Sequence, residues 1–405
     1  MSDWMLYHVW RIRGYEVNHC ERVERDRLVV TITAKPRSLC CPSCGSKDVI
    51  RKGVNLRMLR GVPVGRTQVH FAAHIPRVRC DRCSLTRQVR VSFAEEKRRH
   101  TRQFERYALE LAQLTTTAHA ARHLGVSWDT VRDIEARHLG KRYSKPRLKH
   151  LRQLAIDEIY LGKSVKFLTV VLDLESGAIV FIGRGKGAEA LDPFWKRLAG
   201  SRARIEAVAA DMSLAYALAV REHLPDAVLV NDRFHVIKLY NEMLTELRRE
   251  LHREATTQLA KDVLKGTRWL LLKRLDNLDE QRNEPGRLLQ ALRLNQSLAV
   301  AYYLRDDLSE FWEQPDKWPA ERWLQAWIED ADESGIRLLQ KFAKTLASRR
   351  NSLLAWYDYP ISTGPLEAVN NKIKLLNRQA FGYRNRAFFE LKLYALHNAR
   401  YALVG

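Results

Sequence analysis

A chain of 405 residues is too long for one ordinary domain, and with 46% hydrophobic residues it can build several cores, which excludes wholesale disorder. Its net charge of +22 is uneven: residues 1–150 hold 31 Lys and Arg against 14 Asp and Glu, while residues 151–405 hold 38 against 33. The front third is therefore the expected polyanion-binding part, gaining affinity by releasing counterions from phosphates.

The chain does not open with a basic segment followed by an apolar run. No apolar stretch approaches the roughly 20 residues that span a bilayer. A soluble, cytoplasmic protein without a membrane span is expected. All six cysteines fall within residues 20–83, and in a reducing compartment such clustering favours a metal over disulfides.

Residues 1–95 read as short strands and turns. Val29–Thr33 and Gln68–Phe71 carry strand patterns, and glycines at 45, 53, 61 and 65 punctuate them. Cys41-Pro42-Ser43-Cys44 and Cys80-Asp81-Arg82-Cys83 form two knuckles. Two residues between thiolates let both sulfurs face one ion, and two knuckles complete a tetrahedral structural zinc site. The 35 residues between the pairs exceed a compact-finger spacing, so a strand pair is expected there. Cys40 is the alternative to Cys41, with a spacing less suited to a knuckle.

From about His100 the pattern turns helical, with Phe104, Tyr107, Leu111 and Leu114 on one face. Residues 117–134 then read as a helix-turn-helix within a domain over 96–140. Ala120 and Leu124 pack inward, Gly125 makes the turn, and Ser127 caps a second helix packed through Val131 and Ile134. Trp128, Asp129, Thr130 and Arg132 would point toward a major groove. Lys141 and Arg142 open a basic linker over 141–150, also expected to meet DNA, whose Pro146 disfavours helix on its N-terminal side.

Beyond the linker, strand patterns occupy Leu154–Tyr160, Lys166–Asp173 and Ala178–Gly183. A helix over Glu189–Leu198, a strand over Ile205–Ala210, a helix over Ser213–His223 and a strand over Ala227–Val230 follow. This β-β-β-α-β-α-β order is the scheme of the ribonuclease-H-like fold, a mixed five-stranded sheet with helices. Its first part is expected over 151–237, a helical insertion over 238–360, and its C-terminal helices over 361–405. The tryptophans of the insertion (269, 312, 318, 323, 327 and 356) read as core anchors before nucleotide-stacking platforms. The whole is an α/β multidomain chain.

Three acidic residues carry the expected chemistry. Asp157 lies in the first strand, Asp211 ends the fourth, and Glu367 opens a late helix. In this fold the first and fourth strands are neighbours, so the three can converge on a pair of divalent metals. Such a pair clamps the attacking and leaving oxygens of an in-line displacement at phosphorus. Glu158, Asp173 and Asp232 are rivals: Glu158 faces away from Asp157 on its strand, and Asp232 is the serious competitor for the second position. His235 is either a proton carrier or phosphate contact, or a satisfied structural histidine. Gly183-Arg184-Gly185-Lys186-Gly187 lacks the Ser or Thr of a phosphate loop and reads as a turn into the next helix. Asn370, Asn371, Lys372 and Lys374 either contact the DNA backbone or form a solvated helix face.

On these residues the chain resembles the DDE transposases of bacterial insertion sequences, and the ISL-three family in particular. The likeness rests on the two Cys-x-x-Cys pairs, Ile156-Asp157-Glu158 and Ala210-Asp211-Met212. It extends through Asn231-Asp232-Arg233-Phe234-His235-Val236-Ile237-Lys238, Lys265-Gly266-Thr267-Arg268-Trp269, the block from Thr363 to Lys374, and Ala380-Phe381-Gly382-Tyr383-Arg384-Asn385. It spans essentially the whole chain, with Ala368 standing where glycine is expected. The resemblance implies that the zinc segment and helix-turn-helix recognise terminal inverted repeats. It further implies that two Mg2+ (or Mn2+) held by Asp157, Asp211 and Glu367 serve strand cleavage and transfer into target DNA. A homodimer or larger synaptic assembly, working on the bacterial nucleoid, is implied with it. The alternatives are a transposase-derived repressor and a nuclease without a joining step.

Overall fold

The computed structural model describes residues 3–163 and 166–398, which fall into two compact units, residues 3–144 and 145–397. In the first, α1 (Asp3–His8) leads into β1 (Tyr15–Glu24), β2 (Arg27–Ala34), β3 (Val49–Arg60), β4 (Gln68–Cys80) and β5 (Thr86–Gln88). The sheet order is β1-β2-β4-β3, with β5 on β4, and only β2 and β4 run parallel among these pairs. Along β4, Val69, Phe71, Ala73 and Ile75 are buried with Val30, Ile32, Trp10 and Ile12. This is the period-two pattern of a strand with one face on a core. The strand pair expected between the cysteine knuckles is β3 and β4.

Three helices follow, α2 (Arg102–Leu114), α3 (Thr117–Leu124) and α4 (Trp128–Tyr143), each begun by a hydroxyl cap. Thr101, Thr116 and Ser127 accept from the backbone N–H groups of Phe104, His119 and Thr130. Phe104, Ala108, Ala120, Leu124, Val131 and Ile134 form their shared core. Gly125 ends α3 at φ +63°, the left-handed conformation a tight turn needs, and a Cβ there would lie 2.9 Å from the Gln68 side chain. The buried Arg60 of β3 donates to the Leu124 carbonyl at 2.8 Å, fixing this turn against the sheet. The basic run read as a linker from residue 141 begins inside α4, which passes through Gly140 and ends at Tyr143, ahead of Pro146.

The second unit is built on β6 (Gln153–Tyr160), β7 (Phe167–Asp173), β8 (Ile179–Arg184), α5 (Asp192–Ala199), β9 (Ala207–Ala210), α6 (Leu214–His223) and β10 (Val228–Asn231). The sheet order is β10-β9-β6-β7-β8. The first and fourth strands of this sheet, β6 and β9, are parallel neighbours, as the element order predicted. Leu154 and Ile156 of β6 join a core with Phe194, Trp195 and Tyr216 of α5 and α6. Successive strand residues alternate faces, so Ala155, Asp157 and Ile159 look the other way.

Next come α7 (Arg233–Glu254), α8 (Gln258–Gly266), α9 (Glu284–Leu294), α10 (Gln296–Glu310), α11 (Lys317–Glu333), α12 (Arg337–Ser348), α13 (Arg350–Leu354), α14 (Gly364–Gln379) and α15 (Arg386–Tyr394). The helical insertion has a core of its own, and α7 enters it without a break from Arg233, ahead of the expected boundary at 238. Tyr240, Trp327 and Phe342 meet edge to face at 5.0–6.0 Å. Trp312 and Trp327 are core anchors as expected, whereas Trp269 and Trp318 are 64% and 65% exposed, each beneath an arginine. Helices α14 and α15 return to the sheet, against β6 and β8. Residues 399–405 of the expected C-terminal segment lie outside the described residues. Among the described residues no helix is long and apolar enough to cross a membrane.

Arg305 is the buried polar centre of the insertion. It donates to Asn241 Oδ1 and to the carbonyls of Leu272 and Lys273 at 2.8–3.1 Å. Removing it takes the donor from Asn241 Oδ1 and the Leu272 carbonyl, while the Lys273 carbonyl keeps the Tyr302 hydroxyl. Arg305→Ala is therefore expected to destabilise the second unit by about 2–4 kcal/mol, measured as a lower urea midpoint with an unchanged slope.

Candidate metal centres and nucleic-acid interface

The parallel register of β6 and β9 pairs Ile156 with Ala210, so the next residues, Asp157 and Asp211, emerge side by side. Helix α14 brings Glu367 in its first turn over the same face. Asn370, one turn on, donates from Nδ2 to Asp157 Oδ2 at 2.8 Å. Burial is the largest cause raising the pKa of both Asp157 and Glu367. The Asp211 and Glu158 carboxylates add to the rise at Asp157, and Asp232 and Asp157 add to it at Glu367, while His235 opposes both. These are partly buried carboxylates repelling one another, an arrangement suited to hard cations with oxygen ligands. Unpaired buried atoms, Asn370 Oδ1 and His235 Nε2, sit in the same cluster of residues. The three carboxylates are not gathered within 4.8 Å of one another, so they do not make a closed cage for a single ion.

Asp232, the competitor for the second position, is 2% exposed and fully engaged. Its Oδ1 accepts from the N–H groups of Phe234 (2.8 Å) and His235 (3.4 Å), capping α7, and its Oδ2 accepts from Thr363 N at 2.8 Å, at the start of α14. It therefore anchors the helix carrying Glu367 to the end of β10. The Asp211 carboxylate accepts only from Ser213 N, at 2.9 Å, among the hydrogen bonds seen, which keeps one oxygen available. Asn231 supports the Asp211 backbone carbonyl at 3.1 Å and receives the Ser352 hydroxyl at 2.5 Å.

The remaining rivals lie elsewhere. Glu158 faces away from Asp157, as the strand alternation predicted, and accepts from Tyr216 OH (2.6 Å) and Gly187 N (3.0 Å). Asp173 caps its own turn, accepting from Glu175 N at 3.3 Å and from Ser176 Oγ. The glycine run 183–187 is the expected turn into the next helical segment, and a Cβ at Gly183 would strike the Ala190 carbonyl at 2.4 Å. Asn370 departs from the reading that put it beside Asn371 on a DNA face: it is buried and holds Asp157. The signal was present, since Leu366, Asn370 and Ile373 follow the buried stripe of α14.

In the first unit the antiparallel register sets Val49 opposite Cys80, which brings the Cys41–Cys44 knuckle beside Cys80–Cys83. The four Sγ atoms lie within 4.8 Å of one another, with Cys41–Cys83 at 3.6 Å and Cys44–Cys80 at 3.5 Å. A tetrahedron with Zn–S of about 2.3 Å has edges of about 3.8 Å, so the set fits zinc. Backbone N–H groups of Cys44 and Ser43 hold the Cys41 thiol down at about 6, toward the thiolate that binds metal. Cys40 is not part of the group.

On the helix-turn-helix, Trp128 and Asp129 are exposed, and Thr130 is half-buried with its hydroxyl 3.0 Å from Ser127 Oγ. The Arg132 guanidinium lies over the Trp128 ring and pairs with Asp129 (2.8 Å) and Asp133 (2.6 Å). Lys141 and Arg142 are exposed on the last turn of α4. Asn371, Lys372 and Lys374 are exposed along α14.

Two family models match. One described as "Transposase", that of the ISL3 DDE group, covers residues 154–393, and one described as "Helix-turn-helix domain of transposase family ISL3" covers residues 89–139. The chain belongs to the ISL3 family of transposases. It is 32% identical over 394 residues to the transposase for insertion sequence element IS1001 of Bordetella parapertussis, covering 95% of each chain. It is 29% identical to the transposase for element IS1557 of Mycobacterium tuberculosis, covering 94% of this chain and 91% of that one. As an ISL3 transposase it is a DNA-binding enzyme of DNA transposition.

Two outcomes follow from these centres. Chelation at neutral pH, or Cys41→Ser, is expected to release about one zinc per chain by mass spectrometry and to unfold the 41–83 region by amide exchange, leaving the second unit protected. The raised pKa of Asp157 means that its ionised form destabilises the metal-free fold. The penalty is absent below the ordinary carboxylate range and complete once the pH has risen through the folded value. Asp157→Asn is therefore expected to raise the melting temperature of the metal-free protein at pH 7.5 and to lose that advantage near pH 4.

Proposed function

We propose that this ISL3 transposase binds the terminal inverted repeats of its insertion sequence through the zinc unit and helix-turn-helix, and cuts and joins DNA at Asp157, Asp211 and Glu367. The observation carrying this reading is the side-by-side emergence of Asp157 and Asp211 from paired parallel strands, with Glu367 brought over them by a helix anchored on Asp232. Two Mg2+ or Mn2+ ions held there would supply positive charge at the attacking and leaving oxygens of an in-line displacement.

The chain's own residues do the arranging. Asn370 holds the Asp157 carboxylate through one of its oxygens. Asp232 sets the height of α14 and thereby of Glu367. Lys372 and Lys374, exposed on the same helix, would hold the DNA backbone near the Glu367 turn. Hydrolysis at the element end breaks one P–O bond and leaves a 3′ hydroxyl. Attack by that hydroxyl on target DNA exchanges one phosphodiester for another and needs no external energy source. Both element ends must be processed in one event, so a homodimer or larger synaptic assembly, acting on the bacterial nucleoid, belongs to this reading. The presence of all three carboxylates favours it over a repressor.

The test incubates labelled terminal-repeat DNA with Mg2+ or Mn2+ and a target plasmid. Asp157→Ala, Asp211→Ala and Glu367→Ala are expected to retain DNA binding and lose about three orders of magnitude in cutting and joining, the several kcal/mol that the ions supply. Asp232→Asn, which disturbs only an anchoring bond, should cost about 10–100-fold. If Asp232→Asn is inactive while Asp211→Ala still cuts, the ligand assignment is wrong. Cutting without joined product would make the chain a nuclease.

A further inference from the structure

Phe381 is 100% exposed, the extreme among the exposed large hydrophobic side chains described. It follows α14 directly, in the turn Ala380-Phe381-Gly382 that closes the helix. Phe381 N bonds to the Arg378 carbonyl at 3.0 Å, and Gly382 N bonds to the Asn377 carbonyl at 2.9 Å. Phe381 itself takes the left-handed conformation, φ +52°. That position after a helix ordinarily goes to glycine, because a Cβ there costs about 1–2 kcal/mol. The fold therefore holds a bulky apolar ring in water, on a strained residue, with no packing in return.

The surroundings select its partner. From Ala368 to Phe389 the chain has five basic residues, Lys372, Lys374, Arg378, Arg384 and Arg386, and no acidic one. Lys372, Lys374, Arg378 and Arg384 are exposed along α14 and its closing turn. An apolar tip ringed by cations matches a nucleic-acid duplex, whose phosphates take the charges while a side chain enters the base stack. It does not match an apolar protein groove. Resting on the reading above that the Glu367 helix faces DNA, we propose that Phe381 is a wedge that enters the base stack and unstacks one step near the cleavage point.

The helix sets the reach. Twelve residue steps separate Glu367 from Gln379, about 18 Å at 1.5 Å per residue. At about 3.4 Å per base step this is about five base pairs. The unstacked step thus lies within about six base pairs of the phosphate that Glu367 serves. Opening the stack there would bend the DNA and free the strand end for transfer.

The experiment places single 2-aminopurines at each of these positions in a terminal-repeat duplex and records fluorescence on binding in Ca2+, which blocks cutting. Wild type is expected to give a several-fold rise at one position. Phe381→Ala should lose that rise and Phe381→Trp recover it, with the melting temperature unchanged because the ring packs on nothing. Affinity for the duplex should change by less than about tenfold, since phosphate contacts dominate it. A rise that persists in Phe381→Ala overturns the wedge and leaves the transposase reading standing. So does the absence of any rise with wild type that binds and later cuts. Loss of self-association in Phe381→Ala with an unchanged rise would make the tip a subunit contact. Failure of wild type to bind the duplex at all would overturn both.

Discussion

The parallel pairing of β6 with β9 is the constraint from which the rest of the second unit follows. Because Ile156 sits opposite Ala210, the next residue of each strand is an aspartate, and both leave the sheet at one level. A shift of one residue in that register would turn one of them into the apolar core on the other face, where Leu154, Ile156 and Val208 already pack. The core therefore specifies the site. Its apolar residues cannot be satisfied in any other register, and the two carboxylates are carried along.

A second layer of buried polar groups then holds those carboxylates in place. Asp232, Asn231 and Asn370 each use backbone or side-chain hydrogen bonds to connect segments far apart in the chain: Asp232 to Thr363, Asn231 to Asp211 and Ser352, and Asn370 to Asp157. Buried polar groups are costly unless paired, so these contacts leave α14 little freedom to slide. The helical insertion lies between β10 and α14 in the sequence but has its own core, anchored by Tyr240, Trp327 and the buried Arg305. The bonds of Asp232 cross the sequence length of that insertion and join its two ends.

The first unit uses a different economy. The paired cysteine knuckles sit at the open end of the β3–β4 hairpin, where one metal would hold the two flanking loops together. Arg60 and Gly125 then tie the turn of the helix-turn-helix to that sheet, so the helices presented by α3 and α4 are braced by β-structure.

Much of this was legible in the amino-acid order because it is local. Knuckle spacing, hydroxyl caps, the alternation that turned Glu158 away from Asp157, and the strand order that made β6 and β9 neighbours all depend on residues close in the chain or on topology rules that admit few solutions. The family blocks, from Asp232 to His235 and from Glu367 to Lys374, were equally readable. The sequence put Asp211 first and left Asp232 as its competitor, since each follows a short strand. It also did not tell Asn370 from Asn371, or the buried Trp327 from the exposed Trp269 and Trp318. Those distinctions depend on which hydrogen-bond partner or core arrives from more than a hundred residues away, as Thr363 does for Asp232. Composition and pattern determined the elements, their order and the residue types available for chemistry. Only the tertiary structure decided which carboxylates keep a free oxygen and which are spent on anchoring, because a hydrogen bond is settled by geometry to within tenths of an ångström and no sequence spacing carries that information.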